Sequence, residues 1–134
     1  MELLSTAPVR IARPTQDLAA AERFWADGVG LQVLWRTEGA SAGAHSLLMV
    51  GTPGACWHLE LVDDPETAAA AGMTDEDLLV IYLGTDPDEA WLERIVAAGG
   101  RLVPAHNPYW DEWGITLVDP DGYRLVLSKR IWQP

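Results

Sequence analysis

The sequence contains a single cysteine, Cys56, so no disulfide can form within the chain and nothing indicates an oxidising compartment. It has no apolar run close to the roughly 20 residues that are needed to cross a bilayer. The first eight residues carry one acid, Glu2, and no basic residue, which is not the pattern of a secretory signal. We therefore expect a cytoplasmic protein that does not bind a membrane.

Basic residues are also scarce. Nine Lys and Arg stand against twenty Asp and Glu, and the formal net charge is −11. Such a charge repels phosphate backbones, so we do not expect a nucleic-acid partner. It attracts cations, including cationic small molecules, although solubility alone also explains an acidic surface. The sequence has no phosphate-binding glycine loop and no dinucleotide fingerprint.

What the sequence does have is enough apolar material for one packed domain and an unusual number of tryptophans. Hydrophobic residues make up 49% of the 134 positions, and seven of these positions are Trp. Trp favours places where a large apolar face meets a polar rim, and binding clefts are such places. We therefore expect some of the seven to line a cleft.

The alternation of apolar residues and the turn signals predict a single α+β domain, 1–134, built from two βαβββ modules at about 8–63 and 77–131. Asp17 is the expected N-cap of a helix at 18–27, and Asp86-Pro87 is expected to start a second helix that ends at residue 98. Residues 63–77 are predicted to form a linker, and 37–44 and 106–112 to form loops. The helix pattern repeats at an offset of 71 residues, which indicates a duplication. The predicted strands are 9–13, 31–36, 45–50, 56–62, 78–83, 101–105, 113–118 and 123–128.

Two segments resemble the vicinal oxygen chelate superfamily, which includes glyoxalase I, extradiol dioxygenases, fosfomycin-resistance enzymes and bleomycin-resistance proteins. One is the first helix and its end, 17–31. The other is the final hairpin, 113–123, in which the turn Asp-Pro-Asp-Gly at 119–122 is the most specific part. The resemblance implies a curved mixed sheet around a cleft and a homodimer, while one fold of this kind hosts many chemistries.

The resemblance also implies where a metal would be held. In the metalloenzymes of the superfamily, four strand positions carry His, Glu or Gln ligands, and here they correspond to Arg10, Glu60, Ile81 (or its neighbour Val80) and Val126. Only Glu60 offers an electron pair, because a guanidinium and aliphatic side chains offer none. The resemblance therefore implies a metal-free member with no cofactor, and we assign no catalytic residue.

A first group of candidate ligand-binding residues lies on the predicted strands 9–13 and 56–62. His58 and Glu60 are two apart on a strand and share a face. They are expected to receive a ligand or to act as acid and base; the alternative is a hydrogen-bonded pair in the sheet. Arg10 would neutralise Glu60 or bind a carboxylate or phenolate of the ligand. Trp57, like Trp35, is expected either to line the cleft or to pack in the core.

A second group crowds the predicted loop at 106–112 and its end. Tyr109, Trp110 and Trp113 offer flat rings on which an aromatic ligand could stack or a cationic one could be held, and His106 lies nearby. The alternatives are a hydrophobic plug at the end of the sheet and a dimer contact.

These observations favour a metal-free protein that binds a small molecule, specifically one that sequesters an aromatic or cationic antibiotic-like compound. The alternative is a vicinal oxygen chelate enzyme (a lyase, isomerase or dioxygenase) with an atypical or absent metal site. A third hypothesis, a regulatory module that senses a small molecule, is disfavoured because no DNA-binding segment is attached.

Overall fold

The computed structural model describes residues 1–39 and 44–133. The predicted loop at 37–44 therefore lies largely outside the described residues. None of the helices in the described part of the chain is long and apolar enough to cross a membrane.

The first module contains strand β1 (Val9–Thr15), helix α1 (Leu18–Glu22), and strands β2 (Gln32–Thr37), β3 (Leu47–Gly51) and β4 (Trp57–Asp63). As predicted, Asp17 caps α1, because its side chain accepts a hydrogen bond from the Ala20 N–H at 3.0 Å. The helix then widens into a π-helical turn, Arg23–Gly28, in which the Val29 N–H donates to the Phe24 carbonyl.

The second module follows a short helix α2 (Pro65–Ala69), which lies in the predicted linker. It contains β5 (Leu78–Tyr82), α3 (Glu89–Ala97), β6 (Arg101–Val103), α4 (Pro108–Trp113), β7 (Gly114–Val118) and β8 (Arg124–Ser128). Helix α3 begins two residues after Pro87, with Asp88 as its N-cap, so the predicted start at Asp86-Pro87 is too early. The connection from β5 to α3 is therefore longer than the one from β1 to α1.

Each module forms its own four-stranded mixed sheet. The strand order is β1-β4-β3-β2 in the first and β5-β8-β7-β6 in the second. The first strand of each module runs parallel to the last, and the other pairs are antiparallel. The predicted α+β fold of two βαβββ modules is thus confirmed.

The two sheets share one core on their helix-bearing faces. Phe24 and Trp25 from the π-helical turn and Ile95 from α3 are fully buried there, together with leucines from β3, β4, β7 and β8. Gly28 lets the turn approach α3 closely, because a Cβ at this position would lie 2.9 Å from the Ala98 Cβ. The Gly28 carbonyl in turn accepts a hydrogen bond from the Arg94 Nε at 3.0 Å.

The Asp-Pro-Asp-Gly turn joins the second module to the first. Asp119 is buried and accepts hydrogen bonds from the Trp25 ring Nε1 at 3.2 Å and from the Tyr123 N–H at 2.9 Å. Asp121 accepts from the Thr15 hydroxyl and, at 2.8 Å, from the Gln16 N–H. This part of the superfamily-like sequence therefore holds the modules together.

Burial of the Asp119 carboxyl group makes the free energy of unfolding depend on pH. Burial raises the pKa of Asp119 to about 6, against the hydrogen bond from the Tyr123 N–H, which favours the carboxylate. The folded chain therefore keeps this proton up to about pH 6, whereas the unfolded chain releases it near the ordinary value of 3.8. Between those values the folded state binds more protons, so the free energy of unfolding falls as pH rises.

We predict that wild type loses about 2 kcal/mol of unfolding free energy, relative to Asp119→Asn, between about pH 4 and pH 7. Urea unfolding at both pH values measures the difference. The exposed Asp27→Asn variant controls for the loss of one carboxylate. A difference between wild type and Asp119→Asn that is constant with pH would contradict the assigned role of Asp119.

Candidate functional site

The alternation of β4 sends two polar side chains to the face of the first sheet that carries no helix, which we call the open face. Leu59 and Leu61 are buried in the core, whereas His58 and Glu60 lie on the other side and are half-buried. Strand β1 runs parallel to β4 and sets Arg10 opposite His58. The prediction that His58 and Glu60 share a face is confirmed by this pattern of burial.

Arg10 contacts both of these side chains. Its Nε donates a hydrogen bond to the His58 Nε2 at 3.0 Å, and its NH1 forms an ion pair with the Glu60 Oε2 at 3.2 Å. The Arg10 side chain is 51% exposed and the Glu60 side chain 16% exposed, so the guanidinium lies on the solvent side of the carboxylate. A guanidinium can only donate, so the His58 Nε2 must be the acceptor and the ring proton must be on Nδ1.

Apolar side chains from β2 and β3 complete a cavity of about 480 Å³ beside Arg10 and His58. Its walls are Leu34, Trp35 and Met49. The pairing of β2 with β3 shifts register between Val33 and Trp35, and this irregularity brings the neighbouring Leu34 and Trp35 to the same cavity. The Trp35 side chain remains 61% exposed, so a large aromatic surface is open to a ligand.

Trp57 does not line this cavity. It precedes His58 on β4 and so faces the opposite side of the sheet, where it packs against the core. Of the two roles expected for Trp57, core packing is the one found in the structure, and its alternation with His58 was the signal that favoured that role. Met49 and Leu34 were missed, because the register of β3 against β4 and the irregularity in β2 leave no mark in the sequence.

The second predicted group lies on α4, where the sequence analysis expected a loop. Asn107 caps this helix by accepting a hydrogen bond from the Tyr109 N–H at 3.1 Å, and Pro108 occupies its first position. Six residues are too few for a helical repeat to be recognised in the sequence, which explains the wrong prediction.

The aromatic rings of α4 have partners within the chain. The Arg130 guanidinium lies 4.7 Å from the centre of the Trp113 ring, and its NH1 donates to the Tyr109 hydroxyl at 2.8 Å. The Trp110 ring packs at 4.9 Å from Tyr109 and at 6.4 Å from Tyr82. A ligand on these rings stays a prediction, and it would compete with contacts that already exist.

Helix α4 also covers the face of the second sheet that corresponds to the open face. It contacts β7 and β8, and the Ser128 hydroxyl donates to the Trp113 carbonyl at 3.2 Å. Beneath it, Val126 and Ser128 are fully buried and Thr116 is 3% exposed. Among the residues that the structure describes, the two modules are therefore alike in topology but differ in access, because no helix covers the corresponding face of the first sheet.

The two predicted groups are not brought together within the described part of the chain. No hydrogen bond, ring contact or cavity found among residues 1–39 and 44–133 includes both Arg10 or His58 and a residue of α4. His106 belongs to neither group of contacts: its Nε2 lies 3.9 Å from the Oε1 of the exposed Glu76.

The residues on the open face do not fit the divalent metal that enzymes of the superfamily hold. Glu60 and His58 both face Arg10, whose guanidinium cannot coordinate a cation and repels one. Among the described residues, no three His, Cys, Asp or Glu side chains are grouped so that they could hold a metal ion.

The strand pairings also correct the third metal position. Val126 on β8 pairs with Val80 on β5, and Glu60 on β4 pairs with Ala12 on β1. Arg10 lies two residues before Ala12, so it corresponds to Leu78, two residues before Val80, rather than to Ile81. Ile81 packs against the core. The offset between the first strands of the two modules, β1 and β5, is 68 residues, whereas the offset between the helices is 71. The difference of three residues lies in the longer connection before α3. Leucine donates no electron pair, so the implied absence of ligands at this position is unchanged.

Comparisons with known proteins match both modules. The model of the YycE-like N-terminal domain matches residues 9–62, and that of the YycE-like C-terminal domain matches residues 76–129. The YycE protein of Bacillus subtilis (strain 168) is 33% identical over 124 residues, which are 92% of this chain and 88% of that protein.

Solved structures agree with these matches. The solved structure of YycE from Bacillus subtilis has a TM-score of 0.77 and 29% identity, and the match covers 96% of this chain and 93% of that one. That protein is of unknown function and is described as a candidate glyoxalase/fosfomycin resistance protein. A glyoxalase/bleomycin resistance protein from Streptomyces sp. CB03234 has a TM-score of 0.57 and 25% identity, covering 91% and 99%. The chain therefore belongs to the YycE-like family, within the vicinal oxygen chelate superfamily.

Proposed function

We propose that this chain is a cytoplasmic small-molecule-binding protein that holds an aromatic compound on the open face of its first sheet and sequesters it without converting it. The observation that carries this proposal is the cavity in which the exposed Trp35 ring stands beside Arg10 and His58. A few polar groups among apolar and aromatic walls, in a volume of about 480 Å³, are the usual composition of a ligand pocket.

The names of two relatives support the type of function. One is called a glyoxalase/bleomycin resistance protein and the other a candidate glyoxalase/fosfomycin resistance protein. We infer that this chain likewise protects against an antibiotic-like compound by holding it.

The polar groups of the site favour binding over turnover. A general base needs a free electron pair within reach of the proton that it removes. The His58 Nε2 already accepts from Arg10, and the Glu60 carboxylate is ion-paired with the guanidinium and mostly buried, so it is poorly placed to reach a proton of a ligand. Tyr109, whose hydroxyl could also transfer a proton, lies on α4 and is not brought to His58 and Glu60.

We also propose a two-fold homodimer. Among the exposed large apolar side chains, Tyr82, Ile131 and Trp132 lie beside α4 and do not line the proposed ligand cavity. Association of two copies is one way to remove such surface from water.

We predict that an aromatic ligand found in a thermal-shift screen quenches Trp fluorescence and that Trp35→Leu abolishes both signals. At a hundred times its dissociation constant such a ligand adds about 2.7 kcal/mol of stability. Because Trp35 is exposed, its replacement should leave the fold intact. Trp110→Leu is the matched control and should keep the signals.

Mass spectrometry of the recovered ligand then tests sequestration. An unchanged compound supports it, and a converted compound would place the chain among the enzymes. Loss of binding in Trp110→Leu but not in Trp35→Leu would move the site to α4.

We predict that the purified chain contains far less than one equivalent of Zn, Ni, Mn or Fe by elemental analysis, because Arg10 opposes a cation at Glu60 and His58. The Arg10→His variant places three donor side chains on that face and should gain affinity for these metals. One metal per wild-type chain, lost in Glu60→Ala, would contradict the proposal.

We predict that light scattering at micromolar concentration returns about twice the chain mass of 14.6 kDa. A mass equal to that of one chain would rule out the dimer and would leave the binding site on the first sheet unaffected.

A further inference from the structure

We propose that the ligand carries a hydrogen-bond acceptor oxygen attached to its aromatic ring system, either neutral or anionic, and that the site disfavours cationic head groups. This inference rests on the proposed binding function and narrows the ligand class at the same cavity. It follows from which hydrogen-bonding groups of Arg10, His58 and Glu60 are already used.

Arg10 presents unused donors to the cavity. Its Nε donates a hydrogen bond to His58, and its NH1 forms an ion pair with Glu60. The two N–H groups of NH2 and one N–H of NH1 remain as donors. The guanidinium is half-exposed and lines the cavity, so these donors are available to a ligand. The planar donor edge of a guanidinium matches a carbonyl, phenolate or carboxylate oxygen.

His58 contributes a second donor. Because its Nε2 accepts from Arg10, the neutral ring carries its hydrogen on Nδ1. No partner for this Nδ1 is found among the residues that the structure describes. His58 also lines the cavity, so both polar side chains that meet the ligand offer hydrogen and neither offers a free electron pair.

Glu60 does not provide a place for a cation. Its carboxylate is paired with Arg10 at 3.2 Å, and its side chain is mostly buried behind the guanidinium. A cationic head group in the cavity would therefore approach a positive charge before it could reach the carboxylate. The net charge of −11 attracts cations to the surface as a whole, but salt screens that attraction beyond about 8 Å at physiological ionic strength.

The apolar wall selects the body of the ligand. Trp35 offers an exposed ring face, and Leu34 and Met49 extend the wall. A flat aromatic body on this wall would place an attached oxygen near the donors of Arg10 and His58.

The test compares three probes that share one ring system: 2-naphthoate, 2-naphthamide and 2-naphthylmethylammonium. Binding is measured by calorimetry and Trp quenching up to millimolar concentration, in about 0.3 M salt to screen the overall charge. We expect naphthoate and naphthamide to bind wild type about tenfold or more tightly than the ammonium compound. All binding should depend on Trp35, as judged with Trp35→Leu.

Variants of Arg10 make the test sharper. Arg10→Met frees Glu60 and His58, so the order should reverse and the ammonium compound should bind best. In Arg10→Met/Glu60→Gln both charges are gone, and the difference between the anion and the cation should disappear. Thermal unfolding of each variant confirms that it is folded.

The outcomes separate the two proposals. If the ammonium compound binds wild type in a Trp35-dependent manner as tightly as naphthoate, the ligand class is wrong and the site stands. An order that Arg10→Met leaves unchanged also overturns the ligand class. If no probe shows Trp35-dependent binding, the proposed function at this face is itself wrong.

Discussion

The two sheets of this chain are held together through their helix-bearing faces, and the rest of the structure depends on that packing. Phe24, Trp25 and Ile95 lie between the sheets, and the hydrogen bond from Trp25 to Asp119 joins the modules at one end. Because each sheet uses one face for this core, its other face is directed away from the partner module. Helix α4 covers that face of the second sheet, whereas in the described part of the chain no helix covers that face of the first.

On the bare face, one side chain determines the chemistry. The position from which the metalloenzymes of the superfamily offer a ligand is occupied by Arg10, and its guanidinium contacts both groups that could otherwise bind a cation or accept a proton. The same contacts leave hydrogen-bond donors directed to solvent beside an exposed tryptophan. Donors that face the cavity and a carboxylate that is paired and mostly buried favour binding of an acceptor group, which is why we propose binding without turnover.

The sequence predicted the fold better than the site, and particular residues explain the difference. Strand alternation, the Asp17 cap and the Asp-Pro-Asp-Gly turn are local signals, and they were sufficient for the two modules and for the superfamily. The place of Trp57 was also readable from alternation, because its neighbour His58 must face the other side of the strand. The cavity walls Leu34 and Met49 depend on how β2, β3 and β4 pair. The separation of the aromatic rings of α4 from Arg10 depends on the packing of whole modules, which no local pattern encodes.

The hydrogen bond from the Arg10 Nε to the His58 Nε2 can be tested directly by nuclear magnetic resonance. Two-bond proton–nitrogen correlation spectra of the histidine rings report which nitrogen carries the hydrogen, and they can be recorded at about pH 8.5, well above the ordinary titration range of imidazole. We expect neutral His58 to be in the Nδ1–H form in wild type and Arg10→Met to remove this preference. A wild-type His58 in the Nε2–H form would contradict this expectation, because Arg10 would then have no acceptor on that ring.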